Sequence, residues 1–115
     1  MFDANEFLVL ADDLLATDAS SEARQRCVIG RAYYAAFLLT REYLIAQGHK
    51  FNRNTVHQDV WNDMASLRSP VRNSISVAGK RLRDWRNSAD YDLVYRSDLP
   101  KEAKIAVLTA KRLIS

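Results

Sequence analysis

A chain of 115 residues, 48% hydrophobic and 27% charged, has the length and composition of one globular domain and not of a disordered or fibrous polymer. Three Gly and two Pro leave too few tight turns for a many-stranded sandwich or barrel, and the lone Cys27 can form neither an internal disulfide nor a multi-thiolate zinc site. The net charge of +3 is divided unevenly, with Asp3, Glu6, Asp12, Asp13 and Asp18 preceding any Lys or Arg and a basic stretch running from Arg68 to Arg86.

The pattern predicts an all-α fold of five helical segments, mostly antiparallel to their neighbours, occupying residues 1–115 as a single domain. The first helix starts at about Asp3 or Asn5, either of which can cap it, and repeats Phe7, Leu10, Ala11 and Leu14 up to the polar break 17–20. The second runs from about Ser21 to Gln47, where Gly48 closes it. Its inward stripe is Ile29, Tyr33, Ala36, Thr40 and Leu44, widened by Ala32, Ala35 and Leu39, so it reads as the central helix. Cys27 reads as a small buried hydrophobe.

A third helix from about Thr55 to Arg68 places Val56, Val60, Met64 and Leu67 inward. Ser69 and Pro70 open a fourth, in which Val71, Ile75, Ala78, Leu82, Trp85 and Ala89 form the seam and Arg72, Ser76, Gly79, Arg83, Arg86 and Asp90 lie beside it. Ser97 or Asp98, with Pro100, opens a fifth whose Ala103, Ala106, Ala110 and Leu113 face inward.

Most enzyme templates are absent from the sequence. Gly30, Gly48 and Gly79 stand alone, so there is no phosphate loop; no Cys/His spacing calls for a metal; no nucleophile elbow exists, and no cofactor is expected. The acidic start is the reverse of a secretory signal and no apolar run approaches the ~20 residues of a membrane span, so the expected location is the cytoplasm, away from membranes.

Two stretches carry a resemblance. Arg31-Ala32-Tyr33-Tyr34-Ala35-Ala36-Phe37 in the long second helix, followed by Arg86-Asn87-Ser88-Ala89-Asp90-Tyr91, resembles a branch of the HEPN family marked by Arg-x-x-Ala-Asp-Tyr. The intervening Val56-His57 and Val60-Trp61 are similar to that branch as well. The resemblance implies a four- to five-helix up-and-down antiparallel bundle that forms a homodimer, with the polar motif of each subunit meeting at the two-fold axis. It also implies membership of a toxin–antitoxin or phage-defence system, with RNA or a nucleotide as ligand and a minimal nucleotidyltransferase or antitoxin protein as partner. Many members are metal-independent ribonucleases that use an Arg and a following His with four to six residues between them. Here the positions after Arg86 hold Tyr91, Asp92 and Leu93, and that His is missing.

Cutting RNA without a metal needs one group to take the 2′-hydroxyl proton, another to protonate the leaving oxygen, and cations to stabilise the phosphorane. A Tyr of pKa ~10 is rarely ionised at neutral pH and an Asp of pKa ~3.9 is a weak base. The positions that the resemblance singles out as catalytic candidates are nonetheless Arg86, Asp90, Tyr91 and His57, with Arg83, Arg86 and Arg31 as phosphate- or RNA-binding residues. Each has a plain alternative. Arg86 and Asp90 are spaced for a mutual salt bridge; Tyr91 can be a buried ring; His57 can be structural; Arg31 can pair with Asp90; Tyr33, Tyr34 and Phe37 can be core or dimer seam. A non-catalytic binding module is the first expectation, and a ribonuclease toxin the alternative.

Overall fold

Short polar side chains set the helix starts. In the computed structural model, which describes residues 2–17, 21–66 and 69–114, the helices are α1 (Asn5–Thr17), α2 (Glu22–Ala46), α3 (Val56–Ser66), α4 (Pro70–Tyr91) and α5 (Leu99–Ile114). Asp3 caps α1 by accepting from the Asn5 amide at 3.0 Å, and Ser21 caps α2 by accepting from Arg24 at 3.3 Å. Ser69 and Asp98 do the same for α4 and α5 through the amides of Arg72 and Lys101. Lys111 and Arg112 lie in the last turn of α5, where cations suit the helix dipole.

The end of α2 is closed by a glycine in the left-handed region, Gly48 at φ 96°. The Gly48 amide bonds the Ile45 carbonyl at 3.0 Å and the His49 amide bonds that of Leu44 at 3.1 Å, which satisfies carbonyls the helix would otherwise leave open.

Helix α2 packs against each of the other four helices. Its stripe of Ile29, Tyr33, Ala36, Thr40 and Leu44 is buried, as are Ala32, Ala35 and Phe37. Helix α4 lies antiparallel to it: Arg26 reaches Ala89, Tyr34 meets Arg86, and Tyr43 lies under Arg72. The small face of α5, Ala103, Ala106 and Ala110, is fully buried, so the two backbones approach closely. The result is an all-α bundle. Among the described residues no helix is long and apolar enough to cross a membrane.

Three expectations about facing are corrected. Val71 was expected in the α4 seam but is 69% exposed, while Ser76 and Gly79, expected beside the seam, are buried. The cause is Trp61, whose ring lies on Gly79 so closely that an added Cβ would sit 2.2 Å from ring carbon Cε3. The Ser76 hydroxyl donates to the Trp61 carbonyl at 2.7 Å, so α4 presents its smallest residues to the largest ring of the core. Leu10 is 42% exposed because α1 rests on Ala11. Cys27 is exposed, not buried, since Val28 and Ile29 take the inward face of that turn. Leu67, Arg68 and the break at residues 18–20 lie outside the described residues.

Candidate arginine-histidine site

Where α2, α3 and α4 meet, Tyr33 holds the centre. Its ring is fully buried, and its hydroxyl lies 2.7 Å from Nδ1 of His57 and accepts from Nε1 of Trp61 at 3.3 Å. Burial pushes the Tyr33 hydroxyl up to about 12, against the lowering by Trp61, Arg83 and Arg86, so it keeps its proton at neutral pH. With its oxygen occupied by Trp61, Tyr33 donates that proton to His57 Nδ1. This assignment satisfies each partner and leaves the imidazole hydrogen on Nε2.

His57 stacks on Phe37, with centroids 4.1 Å apart and an angle of 14°. Its proton affinity is lowered, first by burial and then by the charges of Arg86, Arg83 and Arg41. The ring is therefore neutral at pH 7, disfavoured as a cation by guanidinium charges on two helices. The unfolded chain takes up a proton near pH 6.5, before the folded one does. Stability contributed by neutral His57 is thus present above about pH 6.5 and is lost as pH falls from there towards the lower folded value. A ring titration by NMR is expected to place the midpoint below 6.5. Arg83→Ala is expected to raise it, and an unshifted midpoint in that variant would separate Arg83 from the site.

The candidate residues do not all converge. Arg86 does face His57, but its side chain is only 14% exposed and is held by its own chain. It donates to the Tyr34 hydroxyl at 2.7 Å and to Asn87 at 3.1 Å. Its Nε lies 3.0 Å from Asp90, an ion pair whose N–H is not aligned for a hydrogen bond. The guanidinium also lies 5.2 Å from the ring centre of Tyr34 and 5.5 Å from that of Tyr91. The salt-bridge reading of Arg86 and Asp90 is what the geometry realises. Tyr91 is not a buried ring; it is 71% exposed and joins the site only through Arg86. Arg31 lies over the Phe7 ring at 5.3 Å, while its suggested partner Asp90 is taken by Arg86.

Arg83 is different. It is half-buried, has no ion pair among the described residues, and lines a hollow of about 320 Å3 beside Gln58 and Lys80. Arg41 escaped the sequence reading. It lies 5.8 Å over the Phe37 ring and follows Phe37 by four residues and Tyr33 by eight, so continuing the aromatic motif one turn further along its own helix face points to it. The assembled groups are a neutral imidazole whose Nε2–H makes no hydrogen bond among the described residues, cations that attract an anion, and an aromatic ring, Phe37, stacked on the imidazole. They suit holding a phosphate group. A proton-abstracting role for His57 would need the other tautomer and a reversed hydrogen bond from Tyr33. No family model matches the chain, and comparison with curated proteins finds no match.

Proposed function

We propose that the protein is a HEPN-type module that binds RNA or a nucleotide by its phosphate at the His57–Arg83–Arg41 cluster, with Arg86 adding charge from beneath. The observation that carries this reading is the setting of His57: Tyr33 engages its Nδ1 at 2.7 Å, Arg41 lies 5.8 Å over the Phe37 ring on which the imidazole stacks, Arg86 lies 6.0 Å from the Tyr33 ring centre, and Arg83 lines the hollow beside Gln58. A neutral His57 with its hydrogen on Nε2 donates to a phosphate oxygen, and the guanidinium of Arg83 compensates the charge. The motif resemblance extends the reading to a cytoplasmic homodimer acting with a minimal nucleotidyltransferase or antitoxin protein in a toxin–antitoxin or phage-defence system.

One observation favours a second reading, a metal-independent ribonuclease. A histidine kept neutral beside phosphate-holding cations is the form a general base requires, once its tautomer is reversed. A single experiment separates the two. Labelled RNA is titrated with protein in chelator, followed by anisotropy and by gel. Binding without cleavage is expected, with Arg83→Ala weakening affinity about tenfold, the value of one charge-assisted hydrogen bond. Cleavage that vanishes in His57→Ala would make the ribonuclease reading primary, and unaltered affinity in Arg83→Ala would remove the site.

A further inference from the structure

Two hollows open on opposite flanks of the first turn of α3. One, of about 480 Å3, is lined by Arg41, Lys50, Phe51, Arg53 and Val56 among others. The second is the 320 Å3 hollow of Gln58, Lys80 and Arg83, with Asp84 as its one acidic wall. Val56 and Gln58 are two residues apart on a helix, about 200° around its axis, and His57 falls between them.

The larger hollow is unbalanced in charge. Its lining holds three cations and no carboxylate, and its imidazole, His49, is engaged by Asp63 at 3.1 Å. Lys50, Arg53, Lys80 and Arg83 have no ion pair among the described residues, and Arg41 meets only its chain neighbour Glu42 at 3.5 Å. Lys50 and Arg53, with no ion-pair partner among the described residues, raise the local potential, which an anion relieves. Arg41 belongs to both places, since it lines this hollow and also lies 5.8 Å over the Phe37 ring that stacks on His57. Phe51 supplies an aromatic ring at the same wall.

We propose that the larger hollow is a second phosphate-binding subsite, so that the ligand is an extended single-stranded polynucleotide passing His57. Its flanking phosphates are held by Arg41, Lys50 and Arg53 on one side and by Lys80 and Arg83 on the other, with a base against Phe51. The inference rests on the phosphate-binding reading of His57 and deepens it by choosing a strand over a mononucleotide. A mononucleotide fills only one hollow. A duplex, stiff over about 150 base pairs, does not follow the surface around a single helical turn.

The test is anisotropy with labelled single-stranded RNA of two and of about eight nucleotides, alongside a duplex of the longer sequence. The wild-type chain is expected to bind the longer strand at least about tenfold more tightly than the dinucleotide or the duplex. The exposed double variant Lys50→Ala/Arg53→Ala is expected to erase that gain and to lower the logarithmic salt slope by about 1.4, two phosphates' worth for a single strand, with dinucleotide affinity and thermal melting unchanged. Equal affinity for both strands, or a length gain that survives in the double variant, overturns the subsite. If dinucleotide binding that depends on Arg83 persists alongside either result, the reading of His57 stands while this extension fails. If no strand of either length binds, both fall.

Discussion

Gly79→Ala is expected to lower the stability of the fold by about 2 kcal/mol, although alanine is the better helix former by about 1 kcal/mol. The added Cβ would lie 2.2 to 2.5 Å from three ring carbons of Trp61, and that ring is itself fully buried, so it has nowhere to retreat. Overpacking of this kind costs about 3 kcal/mol, which outweighs the gain in propensity. Trp61→Ala is expected to cost more, about 3 to 5 kcal/mol, through the cavity it leaves and the donor it takes from Tyr33. The two changes are coupled. In the Trp61→Ala background the Gly79→Ala change is expected to reverse sign and stabilise, because the clash is gone and only helix propensity remains. Urea unfolding of the four members of the cycle measures this. A neutral Gly79→Ala in the wild-type chain would mean that Trp61 does not sit on the α4 backbone.

Arg26→Ala is expected to destabilise by about 2 to 3 kcal/mol and to loosen the end of α4. Its guanidinium donates to the carbonyls of Ala89 at 2.9 Å, Asp92 at 2.5 Å and Leu93 at 3.2 Å, with Ser88 at 3.5 Å, so one side chain serves the open C-terminal end of α4. It is 17% exposed and also lies 5.8 Å over the Tyr95 ring. Without it the Ser88 and Ala89 carbonyls lose a partner in a half-buried setting, while those of Asp92 and Leu93 are open to water. Hydrogen exchange is expected to rise at the amides of the last turn of α4, which holds Asp90, the partner of Arg86 one turn earlier. Arg26→Lys is expected to recover only part of the loss, since an ammonium cannot span several carbonyls in one plane. Unchanged exchange in Arg26→Ala would show that α4 is closed without this clasp.

The helix boundaries were legible because they depend on neighbours in the chain: Ser21, Ser69 and Asp98 each cap a donor three residues on, and Gly48 ends α2 within its own turn. The rotation of α4 was not, because an apolar pattern marks large side chains and gives no weight to the smallest ones. Gly79 and Ser76 face the core only because Trp61, many residues earlier, needs the space. The site was legible by half. His57, Arg83 and Arg86 were named from the sequence, but the partners that define them are distant: Tyr33 holds His57 across 24 residues and Tyr34 holds Arg86 across 52. No spacing rule covers such pairs, and Arg26 carried no motif at all.

Tyr33 is both the buried aromatic centre of α2 and the anchor of the imidazole, and this joins two properties that proteins often keep apart. The seat proposed for a ligand is anchored on a fully buried ring, so little conformational freedom would remain to be surrendered on association. Encounter should proceed at a rate set by charge and diffusion, without a slow closing step, and should slow sharply as ionic strength rises.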